Sequence, residues 1–272
     1  MLNKVHAITG LPRSGSTLLA ALLRQNPRFA AGMSSPMHLL VSAVLERMSR
    51  EEFSSEFNDD QRRSILRGIF EGYYRGEAGE DSTIFDTHRA WSSKIPLFKT
   101  LYPNAKIICC VRDISWIIDS IETMLRKNPL RTSRLFDFKP GNSIYARVSI
   151  LMNPENGLIG QAWSALHEAW YGGDADRLIF VRYDSLARHP QAVLDRLYTE
   201  LNEPPFQHDF DSVAYDAPDY DAALGMPGMH TVRTKVEFQP REASIPPDIF
   251  KRHADLSFWM KPEHNLRGAL VL

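Results

Sequence analysis

Gly10-Leu11-Pro12-Arg13-Ser14-Gly15-Ser16-Thr17 separates an apolar run, Val5-His6-Ala7-Ile8-Thr9, from a segment whose Leu18, Leu19, Leu22 and Leu23 share one helical face. The spacing Gly-x-x-x-x-Gly and the closing Ser/Thr match a nucleotide P-loop. The glycines of such a loop turn backbone amides toward an anion at a helix N-terminus. The lysine that completes a P-loop is absent, and Ser16 stands in its place. Arg13 is the loop's only cation. The charge that would meet the β- and γ-phosphates of ATP or GTP is missing, so a donor with less charge at its reacting end fits better. The glycine spacing alone is equally compatible with an ordinary strand-to-helix turn.

Outward from this unit, strands and helices alternate. Residues 36–49 and 60–75 read as helices, the first with an apolar face of Leu39, Leu40, Ala43 and Val44. Ile84-Phe85-Asp86-Thr87 is a candidate short strand or edge segment, and 92–101 a helix. The second clear strand is 105–111, followed by a helix that Asp113 caps and that carries Ile117, Ile118, Ile121, Met124 and Leu125 at helical period. A loop over 129–142, helices over 143–152 and 158–171, a strand at 178–181 and a helix at 190–202 complete the pattern. The alternation predicts an α/β fold, with a P-loop-type parallel sheet flanked by helices, in a single domain over 1–272. Residues 203–247 hold seven of the seventeen prolines and show no sustained period. With His230, Arg233 and Lys235 they suit a loop folding over an anionic ligand, or else a meandering surface excursion.

The 272 residues carry a net charge of −1, so bulk electrostatics point to neither nucleic acid nor an anionic membrane, and any anion site must be built locally. The two cysteines, Cys109 and Cys110, are neighbours on a strand, point to opposite faces and read as small buried residues. No zinc cluster, signal sequence or apolar run long enough for a membrane span is legible, which gives the expectation of a cytoplasmic protein without a transmembrane segment.

The core string Pro12-Arg13-Ser14-Gly15-Ser16-Thr17 closely resembles the 5′-phosphosulfate loop of sulfotransferases, enzymes that use 3′-phosphoadenosine-5′-phosphosulfate (PAPS). Its Pro-Arg-Ser-Gly form is more similar to the protein-tyrosine and bacterial branches than to the cytosolic branch, which has lysine where Arg13 stands. The family has an arginine at a strand end and a serine eight positions later, both on the donor's 3′-phosphate. Arg112 and Ser120 match in type and spacing. Spacing alone would leave Arg112 a surface residue and Ser120 a solvent-facing one. Tyr183, in Val181-Arg182-Tyr183-Asp184-Ser185-Leu186, resembles the family's adenine-side tyrosine; the alternative is a packing tyrosine. Gly228 to Lys235 occupies the place of the family's late basic loop, with Arg233 first for charge and His230 and Thr231 beside it. The resemblance implies a donor site made of Arg13, Ser14, Gly15, Ser16, Thr17, Arg112, Ser120, Tyr183, His230, Thr231 and Arg233, using no metal.

Sulfuryl transfer requires a base for the acceptor and positive charge near the transferring group. Cytosolic members carry a Lys-Thr-His string a little over twenty residues before the 3′-phosphate arginine. Here Asp86-Thr87-His88 stands in that place, with His88 twenty-four residues before Arg112. His88 is the base this implies, with Asp86 as its orienting partner or as the base itself; a structural loop histidine is the alternative, and His38 is a second candidate. The family lysine is replaced by Asp86, leaving Arg13, Arg89 or Lys94 to supply charge, with Arg13 counted among the catalytic residues. The expectation is a PAPS-dependent sulfotransferase. A P-loop nucleotide kinase, or a nucleotide-binding module without catalysis, are the competing readings. The acceptor, whether small molecule, lipid, glycan or peptide, and the oligomeric state leave no trace in the sequence. The expected partners do not include nucleic acid.

Overall fold

The apolar runs line up as parallel strands because each is followed by a helix that carries the chain back across the sheet. The computed structural model describes residues 2–50, 52–77, 79, 82–138 and 143–272. Its strands are β1 (Lys4–Gly10), β2 (Phe29–Ala31), β3 (Thr83–Thr87), β4 (Ile107–Val111), β5 (Leu178–Arg182) and β6 (Leu270–Val271). They form one sheet in the order β2-β3-β1-β4-β5-β6, with every neighbouring pair parallel.

The helices are α1 (Ser16–Leu23), α2 (Met37–Arg50), α3 (Asp59–Tyr74), α4 (Ile95–Leu101), α5 (Ile114–Lys127), α6 (Ile144–Leu151), α7 (Gly160–Tyr171), α8 (Tyr183–Arg188), α9 (Pro190–Glu200), α10 (Pro218–Ala223) and α11 (Pro247–Ala254). Strand alternation divides their cores. Val5, Ala7, Ile84, Ile107 and Cys109 pack with residues of α2, α3, α4, α5 and α7 on one face. Ile8, Phe85, Ile108, Cys110 and Val181 pack with α1 and α9 on the other. Cys109 and Cys110 are thus buried on opposite faces.

Several expectations change. The segment around Ile84 is an interior strand: β3 pairs with both β1 and β2. The buried face of α2 is Met37, Val41 and Met48, while Leu39 and Leu40 point outward. The i, i+4 stripe beginning at Met37 faces the sheet, and Leu39 and Leu40 lie off it. The helix expected at 92–101 starts only at Ile95, after a 3-10 turn over Arg89–Ser93. Within 203–247 the short α10 is the one helix that lies whole among the described residues, and α11 begins at Pro247. Of the loop expected over 129–142, residues 139–142 lie outside the described residues.

Two glycines set the first turn. A Cβ on Gly10 would lie 2.1 Å from the carbonyl oxygen of Cys110, so β1 and β4 approach closely only because none exists. Gly15, the N-cap of α1, adopts φ 91°, a left-handed conformation that strains any side chain.

Candidate active site

The carboxyl ends of β1, β3, β4 and β5 open on one cavity of about 790 Å³. This is where open α/β sheets bind ligands. Gly10 to Arg13 and Gly15 to Leu18 line it from β1 and α1, Thr87 to Arg89 from β3, Arg112 from β4 and Tyr183 from β5; Ser120 reaches it from α5. The segment after α10 covers it with His230, Thr231, Arg233 and Arg241.

The loop is held from inside. Ser14 is buried, and its hydroxyl donates to the carbonyls of Leu11 at 2.6 Å and Cys110 at 2.8 Å. Ser14 therefore acts here as a clamp that leaves its own amide and those of its neighbours to shape the turn. Arg13 has φ 56°. Its Nε donates to Ser120 Oγ at 3.2 Å, and a terminal nitrogen donates to the carbonyl of Met229. One side chain thereby joins the P-loop, α5 and the covering segment. Burial, and next the neighbouring Arg112, pushes the Arg13 pKa below the ordinary guanidinium value.

Arg112 donates to the carbonyl of Arg13 at 3.4 Å and lies 4.3 Å from the centre of the Tyr183 ring. Its Nε is buried without a hydrogen-bond partner. Tyr183 also abuts the P-loop: a Cβ on Gly15 would sit 3.0 Å from its ring. Its ring is a wall between Gly15 and Arg112.

Arg241 was not foreseen. It pairs with the buried carboxylate of Asp119 at 2.6 Å and lies 5.2 Å from the centre of the Trp116 ring. Asp119 also accepts from the Ser244 amide at 2.6 Å and hydroxyl at 2.8 Å. These bonds fasten the covering segment to α5, one residue from Ser120. The expected first charge of that segment, Arg233, instead donates to Gln239 and is exposed. A basic residue near the end of a proline-rich stretch was the only sequence signal for Arg241.

The expected catalytic string is arranged differently from a base with its orienting acid. Asp86 is fully buried on the face of β3 that it shares with Ile84 and that packs against α2 and α3. It accepts from Ser35 Oγ at 2.6 Å, Tyr74 OH at 2.7 Å and Trp91 Nε1 at 2.5 Å. It does not line the cavity. Alternation along β3 sends Asp86 inward, where three donors saturate it. Burial raises its pKa, with those three donors opposing. Asp86 is a structural carboxylate, and neither of its two expected roles fits.

His88 does line the cavity, but its Nδ1 accepts from the Ala90 amide at 3.2 Å, capping the 3-10 turn. A neutral ring accepting at Nδ1 carries its proton on Nε2. In that tautomer the other nitrogen, Nε2, is a donor, an arrangement that does not favour the expected base role. Desolvation, then His38 and Arg89, pushes its pKa down to about 4. His38 stacks on His88 with ring centroids 4.6 Å apart and is itself buried away from the cavity.

Of the cations offered in place of the family lysine, Arg89 lines the cavity and Lys94 does not. Arg89 is exposed at the cavity it lines, and desolvation lowers its pKa. Trp91 is part of the core, while Phe138 and Tyr145 are half-exposed outside the cavity. Among the described residues no group of three or more His, Cys, Asp or Glu could hold a metal ion, and no helix is long and apolar enough to cross a membrane.

A family model described as the sulfotransferase family matches residues 7–208. No curated protein matches the sequence. Among solved structures, the sulfotransferase domain from the curacin biosynthetic pathway aligns with a TM-score of 0.59 at 15% identity, covering 95% of this chain and 98% of that one. A sulfotransferase from Alicyclobacillus acidocaldarius aligns with a TM-score of 0.52 at 14% identity, covering 82% of this chain and 90% of that one. At such identities the structures share the fold alone. The family match spans most of the chain and includes the P-loop, Arg112, Ser120 and Tyr183. A match over more than half of its length shows that the chain belongs to the sulfotransferase family.

Proposed function

We propose that this sulfotransferase takes PAPS as donor in the cavity above the sheet and passes its sulfuryl group to a hydroxyl or amine acceptor. The observation that carries the reading is the union of two anion subsites in one cavity. The P-loop offers backbone amides over Ser14–Thr17 but no lysine, which suits a phosphosulfate better than a triphosphate. Arg112 and Ser120 form the second subsite, suited to the 3′-phosphate. The unpartnered Nε of Arg112 is what a bound phosphate oxygen would satisfy.

Tyr183 flanks the adenine side. His230, Thr231 and Arg233 lie on the covering segment, about 203–247, of a single domain over 1–272. Arg241 adds a cation beside Ser120. Arg13, already bonded to Ser120 and to Met229, sits between both subsites and is assigned to charge stabilisation, with Arg89 on the acceptor side. Guanidinium groups meet the donor's charge, so the site as read uses no metal. The buried free cysteines Cys109 and Cys110 fit a reducing compartment, and we place the protein in the cytoplasm.

Calorimetry with 3′-phosphoadenosine-5′-phosphate (PAP), AMP and ATP tests the donor. PAP should bind at least tenfold tighter than AMP; ATP binding tighter than PAP would overturn the reading. Incubating the protein and PAPS with a cell extract, and searching by mass for compounds that gain a sulfuryl group, identifies the acceptor.

A further inference from the structure

With Asp86 saturated and His88 presenting a donor, the acceptor's proton needs another destination. On the segment that covers the cavity, His230 is half-buried and lines it. Asp221, on α10, is fully buried and binds this residue twice. Its Oδ1 lies 2.5 Å from His230 Nδ1, and its Oδ2 accepts from the His230 backbone amide at 2.8 Å.

An ionised carboxylate only accepts, so Nδ1 donates and Nε2 keeps its lone pair. The second bond fixes the backbone on which the ring is mounted. The Tyr220 ring sits edge-on to the imidazole with centroids 5.4 Å apart. Arg13 donates to the carbonyl of Met229, so the residue just before His230 is tied directly to the phosphate-binding loop. A histidine in the tautomer of a base, oriented by a buried acid, thus stands beside the loop that would hold the group being transferred.

We propose that His230 is the general base of sulfuryl transfer and Asp221 its positioning residue. The inference rests on the donor site proposed above and gives His230 a role other than donor binding. The acceptor oxygen attacks sulfur as its proton passes to His230 Nε2. The new S–O bond forms, the bond from sulfur to the bridging oxygen breaks, and its electron pair leaves on the 5′-phosphate of PAP. The imidazolium that results is held by the Asp221 carboxylate.

The charged groups facing the ring have opposed effects. Burial, Arg13 and Arg89 lower the His230 pKa, while Asp221 raises it. The balance lies below the ordinary value, which keeps Nε2 free at neutral pH.

Nitrogen-15 NMR of the histidine-labelled full chain, assigned with His230→Gln and His88→Gln, reads the tautomers directly. His230 should carry its proton on Nδ1 and His88 on Nε2; a proton on Nε2 of His230 would overturn the proposal. Turnover of PAPS is followed with 2-naphthol, protonated at neutral pH, and with 4-nitrophenol, largely ionised at pH 8, as acceptors. His230→Gln should lower kcat with 2-naphthol by about 10²–10⁴-fold. It should affect the ionised phenol far less and leave PAP affinity within about threefold. Asp221→Asn should cost less rate and move the acidic limb of the kcat/KM profile to lower pH, a shift that a merely structural role would not produce. Near-normal turnover of 2-naphthol by His230→Gln would refute the base. Failure of the wild type to bind PAP would instead refute the donor reading. Should neither phenol be turned over, the tautomer measurement decides.

Discussion

Arg241 and Asp119 are joined by a 2.6 Å ion pair that ties the segment covering the cavity to α5, next to Ser120. The carboxylate is fully buried and the guanidinium partly exposed to the cavity, so the pair both closes the site and keeps a cation in it. Arg241→Ala should weaken PAP binding by tenfold or more, since a charge-assisted hydrogen bond is worth about 1.5–3 kcal/mol. It should also lower the thermal midpoint, because the buried Asp119 would lose its ion-pair partner and keep the bonds from Ser244 alone. Calorimetry and a melting curve separate the two effects. Unchanged PAP affinity would remove Arg241 from the donor site.

Arg112 lies against the Tyr183 ring, with its Nε unpartnered. Arg112→Ala should reduce PAP affinity strongly and barely change that of adenosine 5′-phosphosulfate, which lacks the 3′-phosphate. Arg112→Lys should restore little, since a compact ammonium neither spreads over the ring nor makes two parallel bonds to a phosphate. Equal losses for both ligands would contradict the assignment to the 3′-phosphate.

Gly15→Ala should cripple donor binding through the backbone. Its φ of 91° disfavours any side chain, and the added Cβ would press on Tyr183 at 3.0 Å. The strain is of order 1–2 kcal/mol, relieved by opening the loop. The variant should fold, melt slightly lower and bind PAP at least tenfold more weakly. Wild-type affinity would show that the turn is not the anion cradle.

Asp86→Ala should act on stability rather than on the chemical step. It strands the buried hydroxyls of Ser35 and Tyr74 and the indole of Trp91, each costing roughly 1–3 kcal/mol when left unsatisfied. The urea midpoint should drop markedly. Asp86→Asn should be milder and keep the pH profile of kcat in its folded fraction. A large change in that profile would return Asp86 to the reaction.

His6 supplies a pH dependence of folding. It is 6% exposed, its Nδ1 accepts from the Lys106 amide at 3.0 Å, and burial pushes its pKa down to about 4. The unfolded imidazole takes a proton near pH 6.5, the folded one only near pH 4. Stability from this group is therefore complete above pH 6.5 and lost as pH falls toward 4. His6→Asn keeps an acceptor and removes the titration. Urea unfolding at pH 7 and 4.5 should show a smaller acid loss in the variant, by up to about 3 kcal/mol. Equal losses would assign the acid sensitivity elsewhere.

Local chemistry accounts for what was legible in the sequence. The P-loop, the strands at 105–111 and 178–181 and the cap at Asp113 each declare themselves within a few residues. Asp113 indeed accepts from the amides of Ser115 at 2.9 Å and Trp116 at 3.3 Å. A glycine pattern, an apolar run or a capping carboxylate owes its structure to immediate neighbours. β2 and β6 were not legible, for three and two residues cannot establish a period, and their pairing comes from the sheet edge they meet.

The roles of the titratable groups were decided only by the tertiary structure. Asp86-Thr87-His88 resembled an active-site string, but strand alternation turned Asp86 to Ser35, Tyr74 and Trp91, and a 3-10 turn claimed the Nδ1 of His88. Asp221, His230 and Arg241 all come from a segment without sustained periodicity, so no local pattern announces the pairing of Asp221 with His230 or of Arg241 with Asp119. A hydrogen bond between residues from separate elements depends on where the whole chain carries them. The sequence sets the anion loop through backbone torsions; which side chain is free to take a proton depends on which partners the folded chain leaves it.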